Sequence, residues 1–116
     1  MNTVIVTGAS SGIGLATAKA LSKRGCQVFA GVRKNADFER LTKEGIEPVL
    51  LDVTQEKSMQ AAMEAVNSRR KKGNTLSLIN NAGLAIGGPV EAVSIEKWKE
   101  QFEVNVFGLI RATQTF

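Results

Sequence analysis

The chain has 116 residues, 43% apolar and 22% charged, with 15 Lys and Arg against 11 Asp and Glu for a net charge of +4. That composition fits one small globular domain and excludes a disordered chain. Histidine and tyrosine are absent and Cys26 is the one cysteine, which excludes a Ser-His-Asp triad, His-ligated zinc, an intramolecular disulfide and a Cys-x-x-Cys metal or redox pair. The charge is spread evenly over both halves. No apolar stretch is long enough to span a membrane, and the start of the chain lacks a signal-peptide layout, so a cytoplasmic protein is expected.

Thr3–Thr7 is a continuous β-branched run, as in a strand buried on both faces. Over residues 13–24 the period changes: Ile13, Ala16, Thr17, Ala20 and Leu21 share one helical face, and Gly25 stops the helix. Gln27–Val32 reads as a second strand and Asp37–Glu44 as a short helix closed by Gly45. Pro48–Leu51 is a third strand. Thr54 is placed to cap a helix whose core face is Met59, Ala62, Met63 and Val66. Leu76–Asn80 is a fourth strand, followed by a loop over 83–93. Ser94 then caps a last helix, with Val93 and Trp98 as a hydrophobic staple and Phe102, Val106, Leu109, Ile110 and Thr113 along one face.

Four β-α units of about 30 residues imply an α/β fold with a parallel, doubly wound sheet. A complete six-stranded sheet at that spacing needs roughly 180 residues. Residues 1–116 are therefore expected to form either one domain with an unusually small sheet or the front part of a larger domain.

The first strand runs into TGASSGIG, residues 7–14, and a helix follows at once. Gly8 turns the chain sharply, Gly12 lets backbone approach a phosphate, and Gly14 permits close packing of the helix. The helix N-terminus adds free N–H groups and a partial positive charge. The spacing is neither a P-loop nor G-x-G-x-x-G.

TGASSGIG resembles the cofactor loop of the short-chain dehydrogenases/reductases. LLDVT at 50–54, NNAG at 80–83 and FEVNVFG at 102–108 match the same family in order, and the resemblance covers essentially the whole chain. It implies a Rossmann-type sheet of order 3-2-1-4 and an oxidoreductase moving hydride between a nicotinamide and a carbonyl or secondary alcohol. It further implies that Gly8, Ser10, Ser11, Gly12, Ile13 and Gly14 wrap the pyrophosphate and adenosine ribose. Asp52 and Val53 would meet the adenine. Asn80 would stabilise the central sheet, and Asn81, Ala82 and Gly83 would line the nicotinamide ribose. QVFAGVRK and the FEVNVFG helix look most like the branch acting on steroids, retinoids and other lipophilic alcohols.

The second strand ends Gly31-Val32-Arg33-Lys34, without the acid that binds a ribose 2′-OH. Arg33 and Lys34 stand where a 2′-phosphate would lie, so NADP(H) is favoured over NAD(H). RRKK at 69–72 has no interleaved aromatics and sits in a helix's last turn, so no nucleic-acid partner is expected. Cys26 reads as packing, and no metal site is expected.

Of the family's catalytic set, only the Asn that keeps a water for the proton relay has a counterpart, Asn105. The Tyr-x-x-x-Lys pair has none, since there is no Tyr. The chain alone is thus expected to be inactive: a cofactor-binding fragment, or a non-catalytic NADP(H)-binding module pairing with a full-length relative. The apolar face of the 94–116 helix would support self-association.

Overall fold

In the computed structural model, which describes residues 2–116, the central strand is β1 (Asn2–Val6). It pairs in parallel with β2 (Gln27–Val32) on one side and β4 (Thr75–Ile79) on the other. β3 (Glu47–Leu50) pairs in parallel with β2, so the sheet order is β3-β2-β1-β4. This is the Rossmann-like α/β order that the sequence implied, with β4 at one edge.

The strands alternate between two cores. Val4, Val6, Val28, Ala30 and Val32 face a layer containing Ala18 of helix α1 (Gly12–Lys23) and Leu41 of α2 (Phe38–Lys43). Ile5, Phe29 and Val49 face the other layer, with Met59, Ala62 and Val66 of α3 (Glu56–Arg69). Helices cover both faces, which is why β1 is apolar from Val4 to Val6 and β2 has no polar side chain after Gln27. Ile5 and Phe29 are fully buried, and such a side chain contributes about 1.5–3 kcal/mol.

Element boundaries follow the sequence reading within one or two residues, and Gln27–Val32 matches throughout, but α3 ends at Arg69, so that of the RRKK run expected in its last turn only Arg69 is helical and Arg70 already turns to extended backbone. Two local expectations change. A 3-10 turn, Asn35–Asp37, precedes α2, shortening the helix expected from Asp37. Thr54 does not cap α3: Gln55 holds that position, without a side-chain bond, because the Thr54 hydroxyl is committed to Asp52 at 2.6 Å.

The last helical body starts at Ser94, whose hydroxyl accepts from the Lys97 N–H as expected. It runs as α4 (Ile95–Phe102), a π-helical turn (Glu103–Gly108) and α5 (Leu109–Thr115). The side facing the second core is Val104, Gly108, Ala112 and Phe116, an i, i+4 stripe whose two middle residues are small. The larger face read from the sequence, Phe102, Val106, Leu109 and Ile110, stays exposed.

RRKK belongs to the end of the sheet remote from the Gly-rich loop at residues 8–14. Arg69 sits over the Phe29 ring at 5.1 Å and donates to the Pro48 carbonyl. Gln27 donates to the Glu47 carboxylate and the Arg69 carbonyl, and accepts from the Lys71 N–H. The run's first and third residues are therefore structural ties. Among the described residues no helix is long and apolar enough to cross a membrane.

Candidate functional site

The C-terminal ends of the four strands and the loops that leave them enclose a cleft of about 780 Å³. Ligands of open α/β sheets bind at this edge. One wall is the Gly-rich loop, with Gly8, Ser10 and Ser11. Val32 and Arg33 end β2, Leu51–Gln55 follow β3, and Asn81–Leu84 follow β4. Glu100, Glu103 and Val104 of the last helical body complete it.

The loop's shape depends on its glycines. Gly8 and Gly12 have φ of 62° and 59°, in the left-handed region that favours glycine. A Cβ on Gly8 would lie 2.8 Å from the Ala82 backbone, so a side chain there would force apart β1 and the strand-four turn. A Cβ on Gly14 would strike the Asn81 amide and the Gly8 carbonyl, so the close approach is to those loop ends. Around Gly12 nothing lies within 4 Å of where a Cβ would stand. This open space at the N-terminus of α1 is what a phosphate needs.

Thr7 and Asn81 lock the loop to the end of β4. The buried Thr7 hydroxyl accepts from the Asn81 and Ala82 N–H groups, both at 2.9 Å. The Asn81 amide donates to the carbonyls of Thr7 and Gly8. The tie to the central strand therefore belongs to Asn81. Asn80, expected in that role, donates to the Thr113 hydroxyl of α5 instead and does not line the cleft.

Asp52 lies between burial and charge. Its Oδ1 accepts from both the Thr54 N–H and hydroxyl, while Ser58 accepts from the Asp52 N–H. Burial alone would push the carboxyl up. The Thr54 bonds and the nearby Arg33 charge outweigh it, so Asp52 sits below the usual carboxylate range. Both bonds fall on one oxygen, so the other has no partner among the described residues.

Asn105 lies in the π-helical turn, a feature frequent at functional sites. Its amide donates to the Leu84 carbonyl at 2.7 Å and accepts from the Leu84 N–H at 2.8 Å. Its side chain thus fixes the loop after NNAG. Gly108 allows the same turn to approach Val53, where a Cβ would stand 2.6 Å from the Val53 side chain.

Of the residues expected at the site, the cleft gathers Gly8, Ser10, Ser11, Arg33, Asp52, Val53, Asn81, Ala82 and Gly83. Gly12, Ile13, Gly14, Asn80 and Asn105 lie outside its lining, and Ile13 is 80% exposed. Lys34 is exposed and also outside it. The reading missed Thr54, Leu84, Glu100, Glu103 and the bracing Arg111. Arg111 donates to the Val53 carbonyl and pairs with Glu103. Thr54 stands inside LLDVT and Glu103 inside FEVNVFG, and those two had a signal. No group of three metal-ligating side chains occurs among the described residues.

Residues 2–116 match the family model described as short chain dehydrogenase. The chain is 37% identical over 117 residues to an NADPH-dependent 3-dehydrocapnine reductase of Ornithobacterium rhinotracheale, covering 98% of this chain and 41% of that one. It is similar in structure to a 3-ketoacyl-(acyl-carrier-protein) reductase of Brucella melitensis complexed with NADH, with TM-score 0.88 and 32% identity over 97% of this chain and 47% of that one. An alcohol dehydrogenase of the archaeon Thermococcus sibiricus, complexed with 5-hydroxy-NADP, gives TM-score 0.87 and 32% identity over 100% of this chain and 52% of that one. The chain spans 41% of the length of that curated relative and about half of those solved structures. With the loop, the strand-four turn and the sheet order agreeing, the chain belongs to the short-chain dehydrogenase family.

Proposed function

We propose that this chain is the cofactor-binding portion of an NADP(H)-dependent oxidoreductase acting on a carbonyl or secondary alcohol. The observation that carries this is the cleft: a glycine-built phosphate loop, a basic strand-two end and a polar strand-four turn converge on one space. Its volume falls within the about 300–1,000 Å³ of typical ligand sites. The open space beside Gly12 suits a pyrophosphate at the helix N-terminus.

In this assignment Ser10 and Ser11 hold phosphate and ribose oxygens, and Asp52 with the Val53 backbone meets the adenine. Asn81, Ala82 and Gly83 line the nicotinamide ribose. The bound nicotinamide supplies the hydride acceptor or donor. Arg33 presents a guanidinium to a 2′-phosphate, and no acid on β2 competes for the ribose. The NADPH-dependent relative supports that choice, although the Brucella neighbour was solved with NADH. Asn105 orients the loop beside the nicotinamide end. An amide does not titrate near neutral pH, so it is not the proton donor.

Fluorescence titration tests the assignment. NADPH is expected to bind at least about tenfold more tightly than NADH, and Arg33→Asp to reverse the order. Equal affinities in the unaltered chain would overturn the NADP(H) assignment.

A further inference from the structure

The middle of the phosphate loop is held by a residue outside every motif. At its entry, the Ala9 N–H donates to the Gly31 carbonyl at 2.9 Å. At its exit, the Ser11 carbonyl accepts from the Leu15 N–H in the first turn of α1. Between them, the Ser10 carbonyl accepts from Arg40 Nη2 at 2.8 Å, across 30 residues of sequence. The same Nη2 donates to the Asp37 carboxylate at 2.9 Å, so the guanidinium is aimed from its own helix.

We infer that Arg40 is a positioning residue for recognition of a 2′-phosphorylated adenosine, acting through the Ser10–Ser11 peptide; the inference rests on the cofactor assignment above. Three observations converge. Ser10, Ser11 and Arg33 line the cleft that Arg40 itself does not line. A cation on the Ser10 carbonyl polarises that peptide unit, and the opposite end of the unit is the Ser11 N–H. The clamp also ties the loop to α2, the helix that follows the strand-two end carrying Arg33. Arg40 thereby holds the loop wall and the Arg33 wall in register, and the 2′-phosphate is the group that needs both.

The test uses the full chain, with 2′,5′-ADP and 5′-AMP as probes in calorimetric titration and amide hydrogen exchange alongside. Arg40→Leu is expected to weaken 2′,5′-ADP about tenfold, the scale of one charge-assisted hydrogen bond to an exposed group, and 5′-AMP less than about twofold. Exchange should rise at residues 10–12 and stay unchanged in β1 and β2. Arg40→Lys keeps the charge and should recover part of the loss. Unchanged 2′,5′-ADP affinity in Arg40→Leu overturns the inference. So does an equal loss for both probes with a general rise in exchange, which marks a merely structural residue. If the unaltered chain binds neither probe, the cofactor assignment fails first and takes the inference with it.

Discussion

The Thr7 hydroxyl accepts two backbone N–H groups at once, from Asn81 and Ala82, each at 2.9 Å. Thr7 is buried at the end of β1. Through this one oxygen the strand that launches the phosphate loop is joined to the turn that ends β4. Thr7→Val keeps the shape and removes the acceptor, stranding two donors. A loss of about 2–4 kcal/mol is expected, from about 1–3 kcal/mol per unsatisfied buried group. Urea denaturation measures it, and a midpoint unchanged from the parent chain would show that the tie is dispensable.

Such ties explain what the sequence shows and what it conceals. The parallel sheet and the limits of β2 were legible, because apolar runs and the period change at Gly12–Ile13 are local signals, whereas the strand order came with the family resemblance. The Ser94 cap was legible for the same reason. The roles within Asn80-Asn81 were not, since neighbours of one type differ only in which way the strand end turns them. The contact face of the last helix was misjudged from hydrophobic size. Small residues, Gly108 and Ala112, make the close approach, and the π-helical turn changes the helical phase between α4 and α5. Arg40 carries no local signal, because its bond to Ser10 spans 30 positions.

Gly12 offers a clean separation of binding from folding. It opens α1 at a φ of 59° and a Cβ there meets no protein atom. Gly12→Val places a branched side chain in the open space where the proposed phosphate would sit and strains the backbone. Nucleotide affinity should fall by about a hundredfold or more while helical content holds. Circular dichroism and titration together decide it: binding that survives means the loop does not cradle phosphate.

Asp52 predicts an acid dependence with a definite sign. Its folded value lies below the ordinary one, so ionised Asp52 stabilises the fold. That contribution is complete above the unfolded value of about 3.9. It is lost as pH falls through the lower folded value. Thr54→Val removes the hydroxyl donor and keeps the N–H, so the Asp52 carboxyl should titrate at higher pH than in the parent. Carbon-detected NMR titration reads this directly, and a carboxyl that does not move would remove Thr54 as the cause.

No alcohol or ketone turnover is expected from residues 1–116 alone. The reaction needs a proton donor near neutral pH, and the chain holds no Tyr and no His. Asn105 is engaged on both sides by Leu84 and has no proton to give. The same chain should self-associate. Phe102 and Phe107 are 53% and 50% exposed, and Leu109 and Ile110 of the last helical body are exposed as well. Large apolar side chains exposed on one helical body favour burial against a partner. Among the described residues β4 pairs only with β1, which adds an open edge in residues 1–116 taken alone. Phe102→Glu with Ile110→Glu should raise the monomer fraction in analytical ultracentrifugation without weakening nucleotide binding, since neither residue lines the cleft. A cooperatively melting monomer of these 116 residues that oxidises NADPH with a carbonyl substrate would overturn both expectations.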